Sequence, residues 1–154
     1  MHPLAPMAEL MKWASRNTSY NLEFIPEDRL AWKPAPTAKS ALEIVAHVVR
    51  AIRGMRPVLE GGGEWSPGDV PVPSGLRAAQ DVLESAAAEY AEALQRVDPA
   101  QLSRTVSIAG AFSFPLARAA SLPVIDMIHH HGQIAYIQTL LGDEEFHFFE
   151  EGKS

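Results

Sequence analysis

The chain has 154 residues, 47% of them hydrophobic, so it is long and apolar enough to bury a core rather than remain disordered. It carries no cysteine, which excludes disulfides and a thiolate of its own and fits a reducing, cytoplasmic location. The net charge of -6 argues against nucleic acid as the main partner, because phosphate binding needs a basic surface. No run approaches the ~20 apolar residues of a membrane span, and the N-terminus lacks the pattern of a signal peptide.

Proline and glycine divide the chain into four segments with helical spacing of apolar residues. The first covers residues 5–22, and the loop after it contains three prolines that forbid a long helix. The second begins near Ser40, which forms a capping box with Glu43, and ends at the glycines of residues 61–63. A connector rich in proline and glycine then leads to the third segment.

The third segment covers residues 74–97 and the fourth covers residues 122–141, where Gly142 ends it. Residues 100–120 between them are compatible with a short extended piece and a turn of helix. The acidic and aromatic tail is expected to be docked or frayed. Four helices without a convincing sheet predict an all-α fold, a four-helix bundle with long connections, in a single domain over residues 1–154.

The fourth segment places polar side chains on an apolar face. Asp126 and His130 lie one helical turn apart, and Gln133 continues the same face, whereas His131 points elsewhere. A buried carboxylate is costly unless it is paired or ligates a metal. The pair therefore predicts either two metal ligands on one rigid element or an ion pair within the helix. His129, at the edge of this face, is either a further ligand or a packing residue.

His47, in the middle of the second segment, is the candidate third ligand. It lies at the margin of the apolar face, and the small residues Ala51 and Gly54 are expected to leave space beside its ring. From this pattern alone, a hydrogen-bonded core histidine is the simpler interpretation.

Other charged residues of the second segment have two interpretations each. Glu43 is either a proton acceptor near a metal or, more simply, the capping-box partner of Ser40. Arg50 and Arg53 could receive an anionic substrate, although a solvated helix face is the simpler account.

Three stretches together resemble the DinB/YfiT-like superfamily of bacterial four-helix proteins. They are MKWASRNTSYNLEFIPEDRL at the first helix, LAWKPAPTAKSALEIVAHVVRAI at the loop and second helix, and HHHGQIAY on the last helix. The resemblance covers nearly the whole chain in the right order and spacing. It implies a four-helix bundle, which the spacing of apolar residues also predicts. It further implies a metal site inside that bundle.

The resemblance assigns the ligands by position. In the family, a histidine of the second helix and two residues four apart on the last helix bind a divalent metal. Counting back from Gln133 gives His130 and then Asp126, where most members have histidine, and His47 matches the second-helix ligand. The metal implied is zinc or nickel, with manganese or iron as alternatives, and aspartate can ligate each of them. The charge of Asp126 either alters the metal preference or marks a site that has lost its metal.

Members of the family include metal-dependent hydrolases and transferases that use a low-molecular-weight thiol. The resemblance therefore implies a small-molecule substrate and one of these two activities, without assigning a catalytic residue. The alternative is a non-catalytic bundle that binds a small molecule or has a structural role. The fourth helix is apolar on nearly every side, which predicts that it is central or covered by a second copy in a homodimer.

Overall fold

The computed structural model describes residues 1–149, and four long helices make up most of them. The elements in chain order are α1 (Ala5–Leu22), α2 (Ala41–Leu59), α3 (Leu76–Arg96), β1 (Thr105–Ile108), β2 (Phe112–Pro115), the single turn α4 (Leu116–Ala119) and α5 (Leu122–Leu140). The bounds of α1, α2, α3 and α5 agree closely with the four predicted helices.

Local signals fix the ends of the two helices that carry the polar residues. At the start of α2 the backbone N–H of Glu43 donates to Ser40 Oγ at 3.3 Å, and the backbone N–H of Ser40 donates to Glu43 Oε2 at 2.9 Å. The predicted capping box is therefore confirmed. Helix α5 ends as predicted at Gly142, whose φ of 97° is a conformation that favours glycine.

The four long helices pack around one core. Helix α1 packs against α3 and α5, and α2 packs against the same two helices, so α1 and α2 face each other diagonally. The loop between them must therefore cross one end of the bundle. This arrangement makes α2 and α5 neighbours and brings their polar residues together. The largest fully buried side chains include Met11, Leu22, Ile52, Leu83, Tyr90, Leu94, Leu116, Met127 and Ile134.

The prediction of an all-α fold is wrong for residues 105–115, which form a small antiparallel hairpin. Strand β1 pairs with β2 in the register Thr105↔Pro115 and Ile108↔Phe112. Ala109 and Gly110 adopt positive φ values of 54° and 65°, which reverse the chain between the strands. The predicted extended piece and helical turn are thus both present. Four-residue strands are too short for a reliable period-2 signal, and only pairing reveals the sheet.

The tail docks along α1. Asn21 Nδ2 donates to the carbonyl oxygen of His147 at 2.9 Å, and the backbone N–H of Phe149 donates to Asn17 Oδ1 at 3.0 Å. The rings of Phe24 and His147 stack with centroids 3.4 Å apart. The docked alternative is therefore correct for residues 143–149, while residues 150–154 lie outside the described part of the chain.

Within residues 1–149, no helix combines the length and apolar character that crossing a membrane requires.

Candidate metal centre

Three side chains from two helices meet at the interface of α2 and α5. Asp126 Oδ2 lies 3.8 Å from His47 Nε2, and Asp126 Oδ1 lies 3.4 Å from His130 Nε2. The imidazole rings of His47 and His130 are 4.7 Å apart between centroids. One potential ligand atom from each residue lies within 4.8 Å of the other two, so a single cation could contact all three. The spatial meeting on which the sequence interpretation depends is present, while ligation itself stays a prediction.

The helices explain why these side chains converge. Asp126 and His130 are four residues apart on α5, so they project from the same face on successive turns. That face packs against α2, where His47 occupies the margin of the apolar stripe. His130 is buried, with 8% of its surface exposed, while His47 and Asp126 are half-buried. The centre is therefore closed on the core side and accessible from the other.

Gln133 orients the imidazole ring of His130. The distance between His130 Nδ1 and Gln133 Oε1 is 2.6 Å, and an amide oxygen can only accept a hydrogen bond. In the neutral ring Nδ1 therefore carries the proton, and Nε2 presents a lone pair towards Asp126. Gln133 Nε2 donates in turn to His129 Nε2 at 3.2 Å. This chain of contacts is the type of support that orients histidine ligands in metal sites.

The carboxylate of Asp126 provides a direct test of whether a cation fits here. Its Oδ2 atom is buried and has no hydrogen-bond partner among residues 1–149. Oδ2 lies 3.8 Å from His47 Nε2, and Oδ1 lies 3.4 Å from His130 Nε2. A buried carboxylate oxygen without a donor needs a positive charge beside it, and a cation shared with the two imidazoles would supply that charge. Two imidazole nitrogens and one carboxylate oxygen are also a donor set that suits zinc, nickel, manganese and iron.

The two imidazoles differ in their affinity for a proton. Burial lowers the pKa of His47, the charge of Asp126 opposes that effect, and the proximity of His130 adds to it. Burial also acts to lower the pKa of His130, but hydrogen bonds to Asp126 and Gln133 outweigh it and raise the pKa above its usual value. His47 is thus the more readily neutral ring, as a metal ligand must be.

Two clefts open beside the centre, one on each side of the loop residues 37–39. The larger, of about 570 Å³, reaches His130 and is also lined by Gln133, Tyr136 and Leu140. The smaller, of about 320 Å³, reaches His47 and is also lined by Glu43 and Arg50. A small molecule could therefore approach either imidazole from outside the bundle.

The other histidines of the fourth helix do not join the cluster. His129 is exposed and contacts Gln133, so it supports the centre indirectly. His131 points away from it, as predicted, and its Nε2 is buried with no hydrogen-bond partner among residues 1–149. Burial lowers the pKa of His131, which keeps its ring neutral.

Glu43 is a structural residue of α2. Beyond its capping role, its Oε1 atom lies 2.7 Å from the ammonium nitrogen of Lys33. The hydrogen bond from Lys33, followed by the one from the Ser40 backbone, lowers the pKa of Glu43. Both hydrogen bonds of the capping box are present, so the capping-box interpretation of Glu43 is confirmed.

The expectation that Gly54 leaves space beside His47 is wrong. A Cβ atom at this position would lie 2.7 Å from the Ser66 carbonyl oxygen and 2.8 Å from Trp65 Nε1. The indole N–H of Trp65 also donates to the Ala51 carbonyl oxygen at 3.4 Å. Ala51 and Gly54 therefore allow the connector between α2 and α3 to pack closely against α2. Helix periodicity gives no information about which segment crosses a helix face, so the sequence could not show this contact.

Lys39 is the residue beside the centre that the sequence interpretation missed. It lies in the loop before α2 and lines both clefts. Its positive charge contributes to lowering the pKa of both His47 and His130. A lysine in a proline-rich loop carries no periodic signal, and only the path of the loop brings it here.

Fold and site together define a class: a helical bundle with a two-histidine, one-aspartate cluster between neighbouring helices. The model of the DinB superfamily matches residues 10–134, and the chain belongs to that superfamily. No curated protein sequence matches the chain.

Two solved structures of DinB-like proteins are similar in fold. The DinB-like protein YjoA of Bacillus subtilis superposes with a TM-score of 0.74 at 20% identity, covering 96% of this chain and 99% of that one. A DinB-like protein of Bacillus cereus gives a TM-score of 0.63 at 20% identity, covering 84% of this chain and 87% of that one. The bundle expected from the resemblance is therefore shared with both proteins.

Proposed function

We propose that the chain binds one divalent metal ion through His47, Asp126 and His130 and uses it to transform a small molecule. The observation that carries the proposal is the convergence of three potential ligand atoms, together with a buried oxygen of the Asp126 carboxylate that has no hydrogen-bond partner among residues 1–149. Zinc and nickel suit the donor set best, and manganese or iron are the alternatives. A centre with three protein ligands retains open positions for a substrate, unlike a closed structural site.

In this proposal the side chains of the protein bind the metal ion and orient its ligands. His130 is held by Gln133 with its Nε2 lone pair towards the centre, and Asp126 contributes the negative charge that a divalent ion requires. The clefts beside His47 and His130 give a small molecule access. A bound divalent ion supplies Lewis-acid chemistry, lowering the pKa of a water molecule or thiol that reaches it.

Two reaction classes use this chemistry, namely hydrolysis and transfer of a low-molecular-weight thiol to an electrophile. Because the chain has no cysteine, a thiol must come from a separate molecule. The test is turnover by protein loaded with zinc, nickel or manganese, with p-nitrophenyl acetate as the ester and with a small thiol plus monochlorobimane as the transfer pair. Turnover that depends on metal and is lost in His130→Ala is expected. Metal uptake without turnover of either substrate would instead support the non-catalytic binding protein.

A homodimer and a cytoplasmic location are part of the same proposal. The side of α5 that faces away from the core exposes 59% of Ile125 and 64% of Tyr136, and Ile128 and Leu140 lie on the same side. A second copy of the chain would cover Ile125 and Ile128, while Tyr136 and Leu140 would lie at the edge of that interface, where they border the larger cleft. The cysteine-free composition fits the reducing cytoplasm, which fractionation of the native host would test.

A further inference from the structure

The cleft beside His47 is rich in positive charge. Lys33, Lys39 and Arg50 line it, with Glu43 as its acidic residue. Lys33 is paired with Glu43 at 2.7 Å. Neither Lys39 nor Arg50 forms an ion pair with a carboxylate in the described part of the chain, although the net charge of the protein is -6. The cleft therefore presents two uncompensated cations in an acidic protein.

The guanidinium group of Arg50 has an N–H donor for which residues 1–149 provide no acceptor. Its side chain is half-buried, and its Nε atom is buried without a hydrogen-bond partner among those residues. A buried donor without an acceptor lowers stability, so such a group usually has a partner. The guanidinium fork matches the two oxygens of a carboxylate or phosphate, which is the partner chemistry that arginine favours.

Lys39 connects this cleft with the larger one. It lines both clefts, and its charge acts on both His47 and His130. The larger cleft is more apolar, with Ile44, Tyr136 and Leu140 among its lining residues. A molecule that spans both clefts would place an anionic group near Lys39 and Arg50 and an apolar group near Tyr136, with the metal centre between them.

We infer that the substrate of the metal centre carries an oxyanion, a carboxylate or a phosphate, which Arg50 and Lys39 bind beside His47, and an apolar portion that occupies the larger cleft. The inference rests on the proposed function, since it names the class of small molecule for that centre. It also separates the two arginines of α2: Arg53 is exposed and lines neither of these clefts, so the solvated-face interpretation holds for Arg53 only.

The test measures binding of benzoate and of phenyl phosphate, with benzyl alcohol as the neutral counterpart, by calorimetric titration in a low-salt buffer. Metal-free and zinc-loaded samples of the wild type, Lys39→Gln and Arg50→Gln are compared, and Arg53→Gln is the matched control on the same helix. Each variant of the cleft should weaken anion binding about tenfold, the loss expected for one charge-assisted hydrogen bond. Arg53→Gln should bind the anions as tightly as the wild type does. Benzyl alcohol should bind the wild type no more tightly than the anions bind Arg50→Gln.

The two probes distinguish the sources of the oxyanion, because the tighter one identifies a carboxylate or a phosphate as the preferred group. Lys39 lies in an exposed loop, so Lys39→Gln keeps the test valid if Arg50→Gln fails to fold, and Arg50→Lys should restore part of the affinity. Equal affinities in the wild type, Lys39→Gln and Arg50→Gln would overturn the inference. So would anion binding that appears only with zinc and ignores both substitutions, because the metal alone would then hold the anion.

The proposed function fails in a different way. If zinc does not bind, the proposed metal centre is refuted. Anion binding that still depends on Arg50 would then support the oxyanion site alone. Zinc that binds, without any Arg50-dependent anion binding, leaves the metal centre in place and refutes the oxyanion site.

Discussion

At the scale of single residues, the site depends on which atoms carry protons. Gln133 can only accept from His130 Nδ1, so Nε2 is left to face the carboxylate of Asp126. Sequence spacing places Gln133 on the same face as Asp126 and His130 but cannot distinguish a hydrogen bond to a ligand from a helix-packing role. The 2.6 Å contact with His130 identifies Gln133 as a positioning residue.

Gln133→Ala should weaken metal binding while the fold remains intact. Without the amide oxygen the ring of His130 is free to rotate, and loss of such support typically costs about 10- to 100-fold in metal affinity. The measurement is zinc competition against a colorimetric chelator, with the exposed Gln95→Ala on α3 as the control. Equal zinc affinity in Gln133→Ala and Gln95→Ala would refute the positioning role.

Tyr90 makes stability depend on pH at the alkaline end. Burial raises its pKa far above the usual value of 10.0 for tyrosine, and its hydroxyl donates to the Ala120 carbonyl oxygen at 2.8 Å. Because the folded-state pKa is raised, the stabilisation is fully present below the unfolded pKa and is lost as the pH rises above it. The free energy of unfolding should then fall by about 1.4 kcal/mol per pH unit above a pH of about 10 from this residue alone.

Tyr90→Phe isolates that contribution in urea unfolding. Near neutral pH the variant should be less stable by about 1 kcal/mol, because the Ala120 carbonyl loses its hydrogen bond. As the pH rises past about 10 the difference should shrink and then reverse, since phenylalanine does not ionise. A constant difference at all pH values would contradict this account.

At the scale of elements, short-range signals predicted the helices and long-range pairing decided the rest. Proline, glycine and the Ser40/Glu43 capping box mark helix ends because each acts through its own backbone. Strands β1 and β2 depend on one another, and the crossing of Trp65 and Ser66 over Gly54 depends on the path of a distant connector. Such contacts produce no periodic pattern in the sequence. Only the structure could therefore reveal the hairpin and the lack of space beside His47.

The start of α2 contributes to stability through its capping box. Ser40→Ala removes the acceptor for the Glu43 backbone N–H and should lower the free energy of unfolding by about 1 kcal/mol. Thermal denaturation of Ser40→Ala beside Ser74→Ala provides the comparison, because Ser74 precedes the start of α3, where Gly75 occupies the N-cap. If both variants have the same melting temperature as the wild type, the capping box makes no measurable contribution to stability.

At the scale of the whole molecule, the packing of α2 against α5 determines the site. The sequence predicted both helices, and spacing alone aligned Asp126 with His130 on one turn. The pattern of the second helix offered His47 as a candidate third ligand, and the family resemblance favoured it, because helical periodicity does not say which helices are neighbours. The contribution of Lys39 was not predictable at all, since it depends on how the loop before α2 crosses the bundle.

The exposed face of α5 leads to a prediction about assembly. A single glutamate in an apolar subunit interface leaves a charge without a partner, so Ile128→Glu should convert the proposed dimer into a monomer. Light scattering coupled to size-exclusion chromatography measures the mass directly, and Glu144→Gln on the exposed tail is a control that should not change it. A monomeric mass for the wild type would refute the dimer.

Elemental analysis of purified protein shows whether His47, Asp126 and His130 hold a metal ion. The wild type, His47→Ala, Asp126→Asn and His130→Ala are loaded with zinc, dialysed and compared, with His147→Ala as a histidine outside the cluster. We expect close to one zinc ion per chain in the wild type and in His147→Ala, and little in the three cluster variants. Equal zinc content in all five proteins would contradict a metal centre at these residues.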